Sequence, residues 1–308
     1  MKVVGLGEVL WDILPERTCL GGAPANFAYI ATLLGDQGMV ASRVGEDSRG
    51  VEALGRMAEL GFDISYVQRD REHPTGTVKV EIDDKGQARF EIAHLVAWDF
   101  LEWTPAWQDL AEKADAVCYG SLAQRTEASR ATIRRFLGAT PARAIKVFDV
   151  NLRQSYYSQE ILAESMKAAD IVKLNDEELP KIMSLSGLPR GSPHGSRHGS
   201  PHEDERLSAQ RLMEAYELKL VCVTRGGRGS LLVRGREASE HPGFRVKVAD
   251  TVGSGDAFTA GLVHEYLRGA PLEKMNEVAN RVGAWVASEA GAMPTPKRAL
   301  EQVLAEMG

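Results

Sequence analysis

The segment Asp250-Thr251-Val252-Gly253-Ser254-Gly255-Asp256 joins a loop poor in side chains to an apolar helical pattern, Ala257-Phe258-Thr259-Ala260-Gly261-Leu262-Val263. Gly253 and Gly255 permit a tight turn and close approach of a ligand to the backbone amides. Unpaired N–H groups at a helix start, together with the positive end of the helix dipole, suit a phosphate group. Asp256 has the same sign of charge as such a ligand. It fits there if it takes a proton from a group that attacks the phosphate; considered alone, it reads better as a helix cap after a glycine turn.

Other polar residues fall where apolar, strand-like runs end. Asp149, Asn151 and Arg153 lie at or just after the run 145–150, Asn175 and Glu178 follow 171–174, and the stretch 224–229 follows 220–223. Further runs cover 3–6, 39–44, 116–119 and 230–233, and helical patterns cover 26–34, 51–60, 127–137 and 208–216. Near-continuous apolar strands alternating with amphipathic helices predict a doubly wound, mostly parallel α/β sheet, whose ligands bind at the carboxyl ends of the strands. At 308 residues the chain reads as a single α/β domain over 1–308.

Two regions break this pattern. Residues 75–82 alternate with period two, turn at Asp83-Asp84-Lys85-Gly86, and resume at 88–92, which predicts a half-exposed β-hairpin. With a further strand at 12–19, it makes a small antiparallel β-lid from about 12–19 and 74–98, placed to exclude water from the ligand edge. Residues 187–204 contain three Gly-Ser-x-His tetrads and read as a solvated surface-loop insertion; three histidines there make metal binding conceivable, and no function is assigned to them.

Composition narrows the partners. With 37 basic and 43 acidic residues the chain carries a net charge of −6, which argues against nucleic acid and anionic membrane. The N-terminus has Glu8 where a signal peptide needs an apolar core, so it reads as the first strand of a cytoplasmic protein. Cys118 and Cys222 sit in apolar runs and read as core residues, and no zinc-type spacing is present. There is no Gly-x-x-x-x-Gly-Lys-Ser/Thr loop and no Gly-x-Gly-x-x-Gly after the first strand.

Taken together, Leu20-Gly21-Gly22-Ala23-Pro24-Ala25-Asn26, Val44-Gly45-Glu46-Asp47-Ser48-Arg49-Gly50 and Asp250 to Asp256 resemble the signatures of the PfkB, or ribokinase-like, carbohydrate kinases. The resemblance implies ATP-dependent phosphorylation of a sugar hydroxymethyl group, with Asp256 as general base and Gly253, Ser254 and Gly255 as anion hole. It implies Asp12, Gly21, Gly22 and Asn26 as sugar contacts, while Arg153 is left between sugar and phosphate. Asn175 and Glu178 match the Asn-x-x-Glu motif associated with phosphate and Mg2+ placement, with Glu178 acting on the metal through water; an acidic first helical turn is the other reading. Thr224, Gly226 and Gly229 resemble the nucleotide loop and also read as a hairpin turn. Asn280 matches the adenine-side position or is a solvent-facing helical residue. Asp250, with 291–294, resembles the monovalent-cation (K+) site of some members. The Gly-Glu-Val-Leu-Trp-Asp opening and the Gly-Gly-Ala-Pro-Ala-Asn run resemble bacterial fructokinases more than ribokinases, which implies fructose as acceptor. Ribose, 2-keto-3-deoxygluconate and nucleosides are the rival acceptors, and a sugar-binding regulator without turnover is the rival of another class. An exposed lid also suggests a homodimer formed lid to lid.

Deletion of 191–202 is expected to leave folding and activity largely intact; loss of the cooperative unfolding transition, or of a tightly held metal, would overturn the reading as an inert insertion.

Overall fold

The central strands are buried on both faces, as near-continuous apolar sequences require. In the computed structural model, which describes residues 1–82, 88–189, 201–296, 298 and 300–306, the chain runs β1 (Lys2–Leu6), β2 (Leu10–Ile13), β3 (Thr18–Gly21), α1 (Ala23–Leu33), β4 (Gln37–Gly45), α2 (Ser48–Glu59), β5 (Val67–Asp70), β6 (Gly76–Ile82) and β7 (Ala88–Ile92). It continues with α3 (Pro105–Glu112), β8 (Ala116–Gly120), α4 (Glu127–Ala139), β9 (Ile145–Asp149), α5 (Gln159–Ala168), β10 (Ile171–Asn175), α6 (Glu178–Leu185) and α7 (Pro201–Tyr216). The last elements are β11 (Leu220–Thr224), β12 (Ser230–Arg234), β13 (Glu237–His241), α8 (Ser254–Leu267), α9 (Leu272–Ala287) and α10 (Leu300–Glu306).

The large sheet has the order β13-β12-β11-β10-β9-β8-β1-β4-β5, parallel from β11 to β5, with β12 and β13 added antiparallel. Because successive strand residues point to opposite faces, Val3, Ala116, Cys118 and Val147 join the core under α1, α2, α8 and α9, whereas Val4, Val117, Tyr119 and Phe148 join the core under α3 to α7. This is the doubly wound arrangement expected from the sequence. Among the described residues no helix is long and apolar enough to cross a membrane.

The lid is a four-stranded sheet of order β3-β2-β6-β7. It departs from the sequence reading in two ways. Residues 12–19 do not form one strand: the chain reverses where the Leu14 amide bonds the Arg17 carbonyl at 2.9 Å, so β2 and β3 make a hairpin. The two antiparallel hairpins are joined by a parallel pairing of β2 with β6. The turn at Asp83 to Gly86 lies outside the described residues. Arg125, just past β8, fastens the lid's return segment: its Nε and Nη2 each lie 2.7 Å from Asp99, and its guanidinium stacks 4.1 Å from the Trp98 ring centre. Residues 190–200 of the histidine tract also lie outside the described residues. The helix α7 begins at Pro201, so 201–204 are helical rather than loop; proline suits a first helical position, and Glu203 and Asp204 sit in the dipole-positive first turn.

Close contact between α1 and β1 sets the site's first wall, because a Cβ at Gly5 would collide with the Pro24 carbonyl. Gly5→Ala should therefore push α1 outward and cost about 1–3 kcal/mol, the usual range for overpacking, read as a lower urea midpoint at unchanged slope. An unshifted midpoint would show that α1 is not held so closely.

Candidate active site

The start of α8 is a helix N-terminus without a side-chain cap. Gly253 takes φ 77° ahead of the helix, and a Cβ there would lie 2.5 Å from the Ala292 Cβ. No side chain caps the helix; the Ser254 amide bonds the Thr251 carbonyl at 3.3 Å, and the Gly255 and Asp256 amides that follow are left for a ligand. The rest of its first half, Ala257 to Val263, is buried and anchors it in the core. Asp256 sits in that first turn, where its Oδ2 accepts a 2.8 Å hydrogen bond from Asn26 Nδ2 of α1. Burial and the nearby Asp149 push the Asp256 carboxyl up to about 6, against the opposing pull of Asn26, Lys173 and Arg153. It is ionised above that pH and able to accept a proton.

Beneath the helix start lies a buried ion pair. Lys173 of β10 places Nζ 3.0 Å from each oxygen of Asp149, at the end of β9. Thr259 of α8 donates to Asp149 Oδ2 at 3.1 Å. A Cβ at Gly255 would lie 3.1 Å from Lys173 Nζ, so glycine here lets the cation sit directly under the anion site. Burial works against the Lys173 charge, but Asp149, Glu178 and Asp256 outweigh it and hold the ammonium protonated. Lys173 was missed in the sequence, where its only signal is a lone cation inside an apolar strand.

On the lid side, Asp12 of β2 packs against Gly21 of β3, where any Cβ would strike its carboxylate. Burial raises Asp12 to about 6, with Arg153 opposing and Asp250 reinforcing the rise. Gly22, at φ 110°, could not carry a side chain without meeting the Glu8 carbonyl. Arg153 is exposed, and its charge bears on Glu8, Asp12 and Asp256, so it faces the space between the lid and Asp256. Its loop holds Asn151 at φ 39° and Gln154 at φ 50°, left-handed conformations that non-glycine residues rarely adopt. Glu8 is a second residue the sequence reading passed over; it is buried at 3% exposure beside α1.

On the opposite side, Asn175 and Glu178 form a reciprocal cap. Asn175 Oδ1 accepts from the Glu177 and Glu178 amides at 3.0 and 2.8 Å, and Glu178 accepts from the Asn175 and Leu152 amides at 2.8 and 2.7 Å. Burial raises the Glu178 carboxyl, and Lys173 is the main opposing charge. With both oxygens on amides, Glu178 is suited to a cation that keeps its waters and not to direct ligation. Among the described residues no cluster of three His, Cys, Asp or Glu could hold a metal by itself.

Thr224 ends β11, and Gly226 at φ 57° and Gly229 at φ 81° shape the hairpin to β12. Arg228 bridges to Asp176, tying this loop to the Asn175 loop. Asn280 is neither solvent-facing nor turned to the cleft: its Nδ2 bonds Ser230 Oγ at 2.7 Å and the Asn276 carbonyl at 2.8 Å, fixing α9 to β12. Asp250 and Gly291 do meet, at 3.3 Å from the Gly291 amide, but the Asp250 carboxylate is also paired with Arg17 of the β2–β3 turn. That pairing leaves its side chain poorly placed as a free cation ligand.

The profile of the "pfkB family carbohydrate kinase" group matches residues 17–298. The chain is 31% identical over 315 residues to a fructokinase of Escherichia coli, covering 95% of each protein. It is 28% identical to an ATP-dependent ribose-1-phosphate kinase of Halopiger xanaduensis, covering 96% of this chain and 95% of that one. A crystal structure of the Vibrio cholerae O395 fructokinase, in a form with fructose, ADP and calcium ion bound, superposes with a TM-score of 0.79 at 26% identity, covering 99% of this chain and 98% of that one.

Removing the buried cation tests the frame of the site. Lys173→Met should strand Asp149 and cost about 3–5 kcal/mol, as breaking buried pairs does, and adding Asp149→Asn should recover much of the loss. Equal destabilisation in single and double variants, measured by urea unfolding, would mean that the pair is not coupled.

Proposed function

The chain belongs to the pfkB family of carbohydrate kinases, and from that premise we propose that this ATP-dependent sugar kinase transfers the γ-phosphoryl group to a hydroxymethyl oxygen of fructose, with Asp256 as its general base. The observation that carries this reading is the juxtaposition in α8: a carboxylate held by Asn26 at 2.8 Å lies in the first turn of an uncapped helix. Phosphoryl transfer asks mainly for alignment and for stabilisation of charge on the phosphoryl oxygens. The amides around Gly253, Ser254 and Gly255, backed by the Lys173 ammonium, would supply that stabilisation. Asp256 would orient the acceptor hydroxyl and take its proton late in the transfer.

The sugar would lie beneath the lid, against Gly21 and Gly22, with Asp12 and Arg153 reaching its remaining hydroxyls. ATP would lie across the loops after β10 and β11, its phosphates near Asn175, Thr224, Gly226 and Gly229. Asn280 would support this wall from behind through Ser230. Mg2+ would be held by the nucleotide phosphates and by water on Glu178, and would neutralise phosphate charge when bound. Fructose is favoured over other acceptors by the fructokinase-like opening and glycine run and by the 31% identical fructokinase relative. The ribose-1-phosphate kinase at 28% identity makes a phosphorylated pentose the control substrate.

Coupled ADP release should be fastest with fructose among hexoses, pentoses, pentose phosphates and nucleosides; a faster sugar would reassign the acceptor. Asp256→Asn should lower kcat by about 10²-fold or more, within the usual contribution of general-base catalysis, while leaving ATP and sugar binding near normal. In the parent enzyme kcat/KM should fall as pH drops through about 6, because the base then becomes protonated. Near-normal turnover by the variant would remove Asp256 from the mechanism.

A further inference from the structure

Glu8 follows β1 and is 3% exposed. Its carboxylate lies by the Ala23 amide at the first residue of α1, whose N-cap, Gly22, has no side chain to offer. Glu8 Oε2 is buried and has no hydrogen-bond partner. Asn26 lies three residues beyond Ala23 on the same helix face, and its side chain leans back toward the helix start. Asn26 is 4% exposed, its Nδ2 is engaged by Asp256, and its Oδ1 is likewise buried without a partner. Two acceptors thus stand unpaired at the base of one helix, and a buried polar atom left unpaired is costly. One proton shared between them would satisfy both.

We propose that Glu8 is protonated in the native protein and donates from Oε2 to Asn26 Oδ1, so that the Asn26 amide is fixed with Nδ2 on Asp256. Glu8 is then a positioning residue that acts on the base through Asn26. The charged and titratable groups that face it are Asp256 of α8, Arg153 of the loop after β9 and Cys118 of β8. Burial is the largest influence on its proton affinity and Asp256 adds to it, with Arg153 and the amides of Glu8 and Ala23 opposing; the outcome is a rise from 4.5 to about 7. Between those values the folded protein retains a proton that the unfolded chain has lost. Stability therefore falls as pH rises from about 4.5 through about 7.

The inference takes Asp256 as the base, so one arm of its test avoids turnover. Glu8→Gln keeps a carbonyl by the Ala23 amide and a donor for Asn26 without titrating. Its Tm, relative to that of the parent protein, should rise steadily from about pH 5 to about pH 8. In the second arm, with fructose and ATP, Glu8→Gln should retain most of kcat/KM and lose the parent's decline above about pH 7. Glu8→Ala should lose about tenfold, the scale of one hydrogen bond lost at the base. A Tm difference that does not change with pH, a Gln variant that fails to fold, or one as impaired as the Ala variant overturns the proposal. If Glu8→Ala does not fold, the Gln arms decide alone. Should Asp256→Asn prove active, the Tm arm still reports whether Glu8 holds the proton.

Discussion

A lysine ammonium buried within the sheet constrains the geometry around it. Lys173 is tolerated only because Asp149 meets it with both oxygens at 3.0 Å, since the desolvation of an unpaired cation would exceed what packing returns. The pair in turn dictates its neighbours. Thr259 fills a further lone pair of Asp149, and residue 255 must lack a side chain for α8 to begin directly above Nζ. The positive helix end and the positive side chain thereby act on the same small volume. That coincidence would let a carboxylate such as Asp256 share space with a phosphate in the proposed transfer.

The second organising feature is the close approach of α1 to α8. Gly5 and Gly22 draw α1 against the strand ends, so Asn26 reaches Asp256 across 230 residues of sequence. The lid completes the enclosure from the other side. Arg17 of its first turn pairs with Asp250, and Arg125 clamps its return through Asp99. The lid and the segment leading into α8 are therefore mechanically joined, which suits the proposed reaction, one that depends on alignment more than on covalent chemistry.

Local pattern carried some of these features clearly. The glycines at 253 and 255, Asp256, and the Asn175–Glu178 spacing lie within contiguous stretches, and helix-start physics gives such stretches meaning before any fold is known. Residues whose roles depend on distant partners were harder to read. Lys173 and Glu8 are single charged residues beside apolar runs, indistinguishable there from half-exposed strand ends. Asn280 carried a plausible outward role until Ser230 and Asn276 turned its amide into the core. The stretch 12–19 carries a turn signal in Pro15, inside the reversal from Leu14 to Arg17, that the single-strand reading overlooks, and β2 finds its parallel partner in β6.

By itself, then, the sequence determined the α/β class, many of its strands and helices, the existence of a flap and the family signatures, and it singled out Asp256 with its glycine turn. These follow from periodicity, glycine placement and short motifs, all of which are properties of neighbouring residues. Only the tertiary structure decided which charges meet: Lys173 under Gly255, Asn26 on Asp256, Arg153 facing Asp12, and Glu8 lodged against α1 with an unpaired oxygen. Electrostatics and desolvation act through space, and burial cannot be read from a residue's position in the chain. The proton affinities of Glu8 and Asp256 therefore belong to the fold.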